Sequence, residues 1–207
     1  MEGITSSTGS QKERLIFQAA LKVIKEKGYH RARISDIARE AGISYGLVYH
    51  YFKNKEDLFD TILRHWWEGM FQLMEDIRLR EQDAAIKLKQ LILYFFNTYQ
   101  ADPELVNVFI TEISRSTANL TSTRLTYFKE CMSRIQELIQ EGQTSGTFRE
   151  DLNPRYLTYI FLGAIETLLS AMVLEDRRIT GDEQKSRMAD TILEVFLHGA
   201  GNRMRRH

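Results

Sequence analysis

The sequence predicts an all-α protein of about nine helices, and three observations carry that expectation. The 207 residues contain only two prolines, Pro103 and Pro154, and the stretches between them are rich in Ala, Leu, Glu, Lys and Arg, the strong helix formers. Apolar residues recur at steps of three and four, and no segment shows the period of two that marks a half-buried strand. A hydrophobic content of 43% against 27% charged residues puts the chain with globular proteins rather than disordered ones. Its length suffices for one large domain or two small ones sharing a core.

The first helix is expected over residues 10–27, with Ser10 as N-cap and Glu13 as its capping-box partner. Leu15, Ala19, Leu21, Val23 and Ile24 supply its apolar stripe, and Gly28 stops it. Residues 1–10 read as a frayed polar start without the pattern of a signal peptide. A short second helix follows over 35–41, with Ile37, Ala38 and Ala41 inward, and Ser44 caps a third over 45–51. Two short helices joined by Ala41-Gly42-Ile43-Ser44 make a helix-turn-helix: Gly42 permits a positive φ and Ser44 stabilises the next helix start.

Asn54 caps a fourth helix over 55–79, whose Leu58, Ile62, Trp66, Met70, Leu73 and Ile77 fall at helical spacing. Further helices are expected over 83–100, over 103–116 with Pro103 at its first position, and over 120–143, ended by Gly142 and Gly146. The last two are expected over 153–175, with Asn153 as cap and Pro154 at N1, and over 182–198, closed by Gly199.

Net charge is zero, yet it is unevenly spread. Through Lys55 there are ten basic residues and five acidic ones; beyond it there are eighteen and twenty-three. A basic front and an acidic back direct the front at a polyanion. The one cysteine, Cys131, excludes a disulfide within the chain and fits a reducing cytoplasm; it reads as a small buried hydrophobe. The longest apolar run, 156–174, holds Glu166 near its middle with Thr158, Thr167 and Ser170 around it, so it reads as a helix buried in protein rather than lipid.

The stretch Ile43 to Lys55, "ISYGLVYHYFKNK", is the densest in chemistry. On a helix, Tyr45, Gly46, Tyr49 and His50 share one broad side, while Leu47, Val48 and either Tyr51 or Phe52 turn inward. Gly46 removes a side chain, so another molecule can approach the backbone. Lys53 and Lys55 lie beside the positive end of the fourth helix's dipole. Hydroxyl-tipped rings, free N–H groups and ammonium groups on a helix of this width suit the major groove of duplex DNA, where phosphate contacts set position and a few side chains read bases.

The segment Ile34 to Leu58, "ISDIAREAGISYGLVYHYFKNKEDL", resembles the helix-turn-helix signature of tetracycline-repressor (TetR) family regulators. The matching residues are Ile37, Ala38, Ala41, Gly42, Ile43, Ser44, Val48, Tyr49, Phe52, Lys55 and Leu58. They span two helix boundaries and a turn, not one short tag. The resemblance implies that Tyr45 and Gly46 start the groove-facing helix and that Tyr49 and Lys55 contact phosphates. It makes Lys53 and Ser44 secondary contacts, His50 and Tyr51 contacts or flank, and Ser35 a backbone anchor. The chain departs from the family at Arg33, where a capping Thr is usual, and at Tyr51, where His is usual. The resemblance divides the chain into a helix-turn-helix module at 1–54 and a ligand-binding and dimerisation domain at 55–207.

One short reading helix covers few base pairs, so specificity calls for two half-sites on a palindromic operator and hence a homodimer. Gly163, Ala164, Thr167, Ser170 and Ala171 present small residues at helical spacing, and Ile192, Val195 and Phe196 add an apolar face; they suit either an interface or a core helix within one chain, and the resemblance implies the interface, since TetR-like proteins dimerise through their last helices. For a ligand pocket the candidates are Trp66, Met70, Phe95, Phe96, Tyr99, Phe109, Met132 and Phe161, with Glu112 and Glu166 able to fix a polar end. Arg115 is a further polar residue in an apolar helix. This composition favours a long apolar or amphipathic effector. TetR-like regulators of lipid metabolism bind fatty acyl groups or acyl-CoA, and the front end is similar to theirs. No Gly-rich phosphate loop, His-x-x-x-His pair or Cys/His cluster supports an enzyme, a cofactor or a metal. The expected function is a cytoplasmic, ligand-responsive DNA-binding regulator, in the sense of a repressor; the alternative is an architectural DNA-binding protein with no small-molecule ligand.

Overall fold

Helix follows helix throughout the residues that the computed structural model describes, which are 5–80, 83–114 and 121–200. The order is α1 (Thr5–Lys27), α2 (Ile34–Glu40), α3 (Tyr45–Tyr51), α4 (Lys55–Arg80), α5 (Ala84–Ala101), α6 (Pro103–Val108), a π-helical turn (Phe109–Ser114), α7 (Ser122–Thr144), α8 (Pro154–Leu174) and α9 (Asp182–Ala200). Two compact units divide the chain. The first takes in the chain through Trp66 together with Asn107–Arg124; the second takes in Trp67–Val106 and the chain from Leu125 onward.

The local signals read in the sequence are used where caps and turns were expected. Ser44 Oγ accepts the Leu47 N–H at the start of α3, and Asn54 Oδ1 accepts the Asp57 N–H at the start of α4. Asn153 caps α8 by accepting from Arg155 and Tyr156, with Pro154 in the first helical position. Gly28, Gly42 and Gly146 have positive φ at helix ends, where a Cβ would be strained.

Five expectations shift. Ser10 lies inside α1, which begins at Thr5 and runs on through Gly9, rather than capping it. Leu15 is exposed and its neighbour Ile16 takes the inner position. Gly142 lies within α7 because the Phe148 ring packs where its Cβ would stand, and Gly199 lies within α9. The segment expected as one helix from Pro103 widens to π geometry at Phe109, and the Thr111 hydroxyl takes the Asn107 carbonyl there.

In the first unit α1 packs on α2 and α2 on α3. Ile16, Ala20, Leu21 and Ile24 from α1 share its core with Ile37, Val48, Phe52, Leu58 and Phe59. Each large aliphatic buried this way contributes about 1.5–3 kcal/mol, so the seven-residue helices α2 and α3, too short to stand alone, are held by their inner faces. In the second unit α5 packs on α9, and α8 packs on both. Leu88, Leu91, Ile92 and Phe96 meet this core with Phe161, Ile165 and Leu169. Buried Lys87 is paired with Glu141 at 2.8 Å, and Gln143 donates to the Arg149 and Leu152 carbonyls at 2.7 Å each, closing the connection from α7 to α8. Cys131 is buried, and burial pushes its thiol up to about 12, so it acts as a packing group.

Candidate nucleic-acid interface

The reading surface is built by α3. Val48 is fully buried and Phe52 nearly so, which anchors the inner side of the helix. The opposite side is left to solvent: Tyr45 is 53% exposed and Tyr49 44%. Their rings meet edge to face at 4.9 Å between centroids, and their hydroxyls share a hydrogen bond of 3.2 Å. That bond, above all, holds the Tyr49 pKa above the ordinary phenol value, so its hydroxyl remains a protonated donor at neutral pH. Gly46 is exposed, and a Cβ there would touch nothing within 4 Å, so the backbone side of the helix start is open. Ser35, Ser44, His50 and Lys53 are exposed as well; Tyr51 is half-buried with its ring against His50.

The start of α2 is stabilised without a capping hydroxyl. Arg33 makes no side-chain cap and its side chain is exposed. In its place Asp36, the third helical residue, accepts from the Arg33 backbone N–H. That carboxylate also takes Lys27 at 2.9 Å and Arg39 at 2.5 Å. The Lys27 hydrogen bond, above all, holds the Asp36 pKa below the usual carboxylate range.

Lys55 is placed differently from its neighbours. Its ammonium donates to the Tyr29 carbonyl at 2.6 Å and the His30 carbonyl at 3.2 Å, and lies 4.5 Å from the Tyr29 ring centroid. Partial burial holds its pKa below the ordinary lysine value. The residue that the motif offers to phosphate therefore ties the start of α4 to the chain just beyond α1. Lys53, with only its backbone N–H bonded to Asp57, leaves its ammonium outward.

The pocket candidates fall in both units. Trp66 and Phe109 pack together at 4.7 Å in the first unit. Met70, Phe95, Phe96, Tyr99, Met132 and Phe161 belong to the second. There Phe96 and Met70 are fully buried, the Tyr99 hydroxyl is bound to the Arg177 carbonyl at 2.5 Å, and Phe161 packs edge-on against Phe196. Glu166 is exposed, one residue past the inward-facing Ile165, and so lies outside the core of α8. The Glu112 side chain and Arg115 lie outside the described residues. A stack of Trp67, Phe71 and Tyr127, with Arg134 over Phe71, escaped the sequence reading because its members come from helices far apart in the chain. Beside it a groove of about 290 Å³ is lined by Glu75, Glu130, Glu137 and Glu141 against Arg78 and Arg134. Carboxylates outnumber guanidinium groups, and both arginines are already paired, so the groove does not suit an anionic ligand.

The expected interface residues also separate. Ser170 of α8 and Ile192 and Phe196 of α9 are buried inside the second unit, Phe196 with its ring edge-on to Phe148 and Phe161. Ala164, Thr167 and Val195 are exposed, with Gly163 and Ala171 half-exposed. The exposed strip on α8 is more apolar than the small residues alone suggested: Tyr156, Ile160 and Leu174 join it. By length and composition α8 could cross a membrane, with a mean hydropathy of 1.8, but its Leu157, Phe161, Ile165 and Leu169 face are packed on protein.

An all-helical chain that buries one side of a capped helix-turn-helix and leaves tyrosines on the other is a DNA-binding regulator. Residues 16–62 match the family model of bacterial regulatory proteins, tetR family, and residues 66–199 match that of the YsiA-like protein, C-terminal region. The chain belongs to the tetR family of transcription regulators. It is 28% identical over 188 residues to the fatty acid metabolism regulator protein of Bacillus subtilis (strain 168), covering 91% of this chain and 95% of that protein. Its fold is similar to the fatty acid degradation regulator FadR from Bacillus halodurans, with a TM-score of 0.75 and 27% identity, over 100% of this chain and 99% of that one. It is also similar to FadR from Bacillus subtilis in complex with stearoyl-CoA, with a TM-score of 0.74 and 28% identity, over 90% of this chain and 98% of that one.

Proposed function

We propose that this chain is a homodimeric repressor that leaves a palindromic operator when it binds a long-chain fatty acyl compound, an acyl-CoA thioester above all. The observation that carries the DNA half is the paired, solvent-facing Tyr45 and Tyr49 on a helix whose other side is locked by Val48 and Phe52. Tyr45 and Gly46 enter the groove at the start of α3. Tyr49, Lys53, Ser44 and Ser35 contact phosphates, with His50 and Tyr51 at the flank, and Lys55 holds the frame from which they project. The apolar strip of α8 with Val195 of α9 supports a two-fold interface, since contiguous apolar surface of this kind is seldom left to water.

The effector class rests on the likeness to regulators of fatty acid metabolism, one of them solved with stearoyl-CoA, and on the aromatic and methionine content of the second unit. Effector and operator must favour different arrangements of the dimer, and a coupling of about 1–3 kcal/mol changes operator affinity about 5–150-fold. Such a protein acts in the cytoplasm, where acyl-CoA and chromosomal DNA meet. The test uses the duplex that the protein selects from a random library. Fluorescence anisotropy should show release by stearoyl-CoA and palmitoyl-CoA in the range that raises the melting temperature, with free CoA inert. Release by none of a panel of acyl-CoAs and free fatty acids would sink the effector assignment while leaving DNA binding in place.

A further inference from the structure

Among the described residues of the first unit, one charged side chain is buried: Arg124, only 3% exposed. It comes from the third residue of α7 and is the last residue of that helix to belong to this unit; from Leu125 onward α7 belongs to the second. Its Nε donates to Asp60 Oδ1 of α4 at 2.5 Å. Its guanidinium lies 4.9 Å from the Phe59 ring centroid and 5.5 Å from that of Tyr29. The Tyr29 ring is also the one against which Lys55 rests, and Tyr29 and Phe59 pack at 5.0 Å. Lys55 in turn opens α4 four residues after the end of α3. A residue 64 positions from its ion-pair partner thus closes a short series of contacts that ends at the reading helix.

A buried ion pair is weak support for stability, since apolar residues of like volume often do as well or better in its place. What it supplies is an all-or-none contact. Apolar surfaces can slide by fractions of an ångström, whereas a guanidinium that parts from its carboxylate gives up a charge-assisted bond that only one geometry supplies. Asp60 lies on α4 six residues before that helix leaves the unit after Trp66, and Arg124 is the residue after which α7 leaves it; the third crossing, after Val106, falls in α6. We infer that Arg124 is a positioning residue for DNA binding: its bond to Asp60 sets the frame of Tyr29 and Lys55 that presents α3, and it is the point at which effector binding acts on that frame. The second half of this inference rests on the effector-responsive function proposed above; the first half does not.

The experiment compares full-length wild type, Arg124→Met, and Arg124→Met combined with Asp60→Leu. The double variant replaces the pair with apolar side chains, so it should melt within about 2 °C of wild type, as such replacements often do. Without any effector, it should bind the selected duplex at least fivefold more weakly. A role in packing alone would leave its affinity within twofold of wild type, and that result overturns the inference. With stearoyl-CoA added, the ratio of affinities with and without effector should fall to near one in the double variant while wild type keeps its full response; an undiminished ratio overturns the coupling role. Should wild type itself not respond to stearoyl-CoA, the acyl effector is wrong, and the effector-free comparison still decides the positioning role. If the double variant does not fold, Arg124→Lys replaces it. This change keeps the charge and loses the planar fork over two rings: a fivefold loss of duplex affinity supports the inference and wild-type affinity overturns it.

Discussion

Replacing Lys55 by methionine separates two roles that a lysine at the start of α4 can play. In the structure its ammonium is spent on the Tyr29 and His30 carbonyls, at 2.6 and 3.2 Å, and on the Tyr29 ring. A hydrogen bond to a charged group contributes about 1.5–3 kcal/mol. Methionine keeps part of the apolar stem, and the site is partly open to water, so the expected loss is about 2 kcal/mol rather than the sum of both bonds. For a chain of this length each 1 kcal/mol moves the melting temperature by about 2–4 °C, giving a fall of about 4–8 °C. A phosphate contact would have a different signature. Each neutralised phosphate contributes about 0.9 to the slope of log affinity against log salt, so losing one from each protomer would flatten the slope by about 1.8. Thermal melts of the free protein and anisotropy titrations of the selected duplex at several salt concentrations measure both quantities. The structural reading requires a lower melting temperature with the salt slope unchanged. A slope flattened by about two, with the melting temperature unmoved, would refute it.

Tyr49→Phe removes one hydroxyl and breaks its bond to Tyr45; duplex affinity should fall about two- to tenfold per protomer, equally for all sequences, as for a phosphate contact. Gly142→Ala should destabilise the protein by about 1–3 kcal/mol despite alanine's better helix propensity, because the new Cβ would stand 2.3 Å from the Phe148 ring and 2.9 Å from Ala84; a thermal melt at or above wild type would contradict this packing. Asp36 has its pKa depressed in the folded state, first by Lys27, so the stability it contributes is present above the ordinary carboxylate value of about 3.9 and is lost as pH falls through the lower folded value. Asp36→Asn should therefore flatten the acid limb of a stability–pH curve and leave the neutral region sloped as before. Ile160→Lys places a charge on the apolar strip of α8 twice in a two-fold dimer; sedimentation should show a monomer with unchanged far-ultraviolet circular dichroism, and a persistent dimer would move the interface elsewhere.

Much of the architecture was legible because it is written in signals that act over one turn. Ser44, Asn54 and Asn153 cap the helices they precede, since an acceptor at that position meets an orphan N–H whatever lies beyond. Gly28, Gly42 and Gly146 stop or turn the chain through φ values that other residues resist. The reading face of α3 followed from the same local geometry: once Val48 and Phe52 are inward, the 100° step leaves Tyr45 and Tyr49 outward. Those features, together with the spacing that carries the family resemblance, needed nothing but neighbouring residues.

Tertiary structure decided which partner each side chain meets. Lys55 carries the same motif position in either role, and only the carbonyls left beyond the end of α1 turn its ammonium inward. Glu166 and Ile165 are adjacent in sequence, yet one is exposed and the other buried, because α8 has an inner face only where α5 and α9 cover it. Phe196 and Ile192 read as a free apolar face, yet both are buried, Phe196 against Phe148 and Phe161, and Ile160 and Tyr156 become the exposed strip in their place. The Arg124–Asp60 pair joins residues 64 positions apart. Helix ends are set by the energy of a few adjacent groups, so the sequence alone determines them; the facing of a long-range pair depends on chain closure that no local pattern encodes, so only the packed fold determines it.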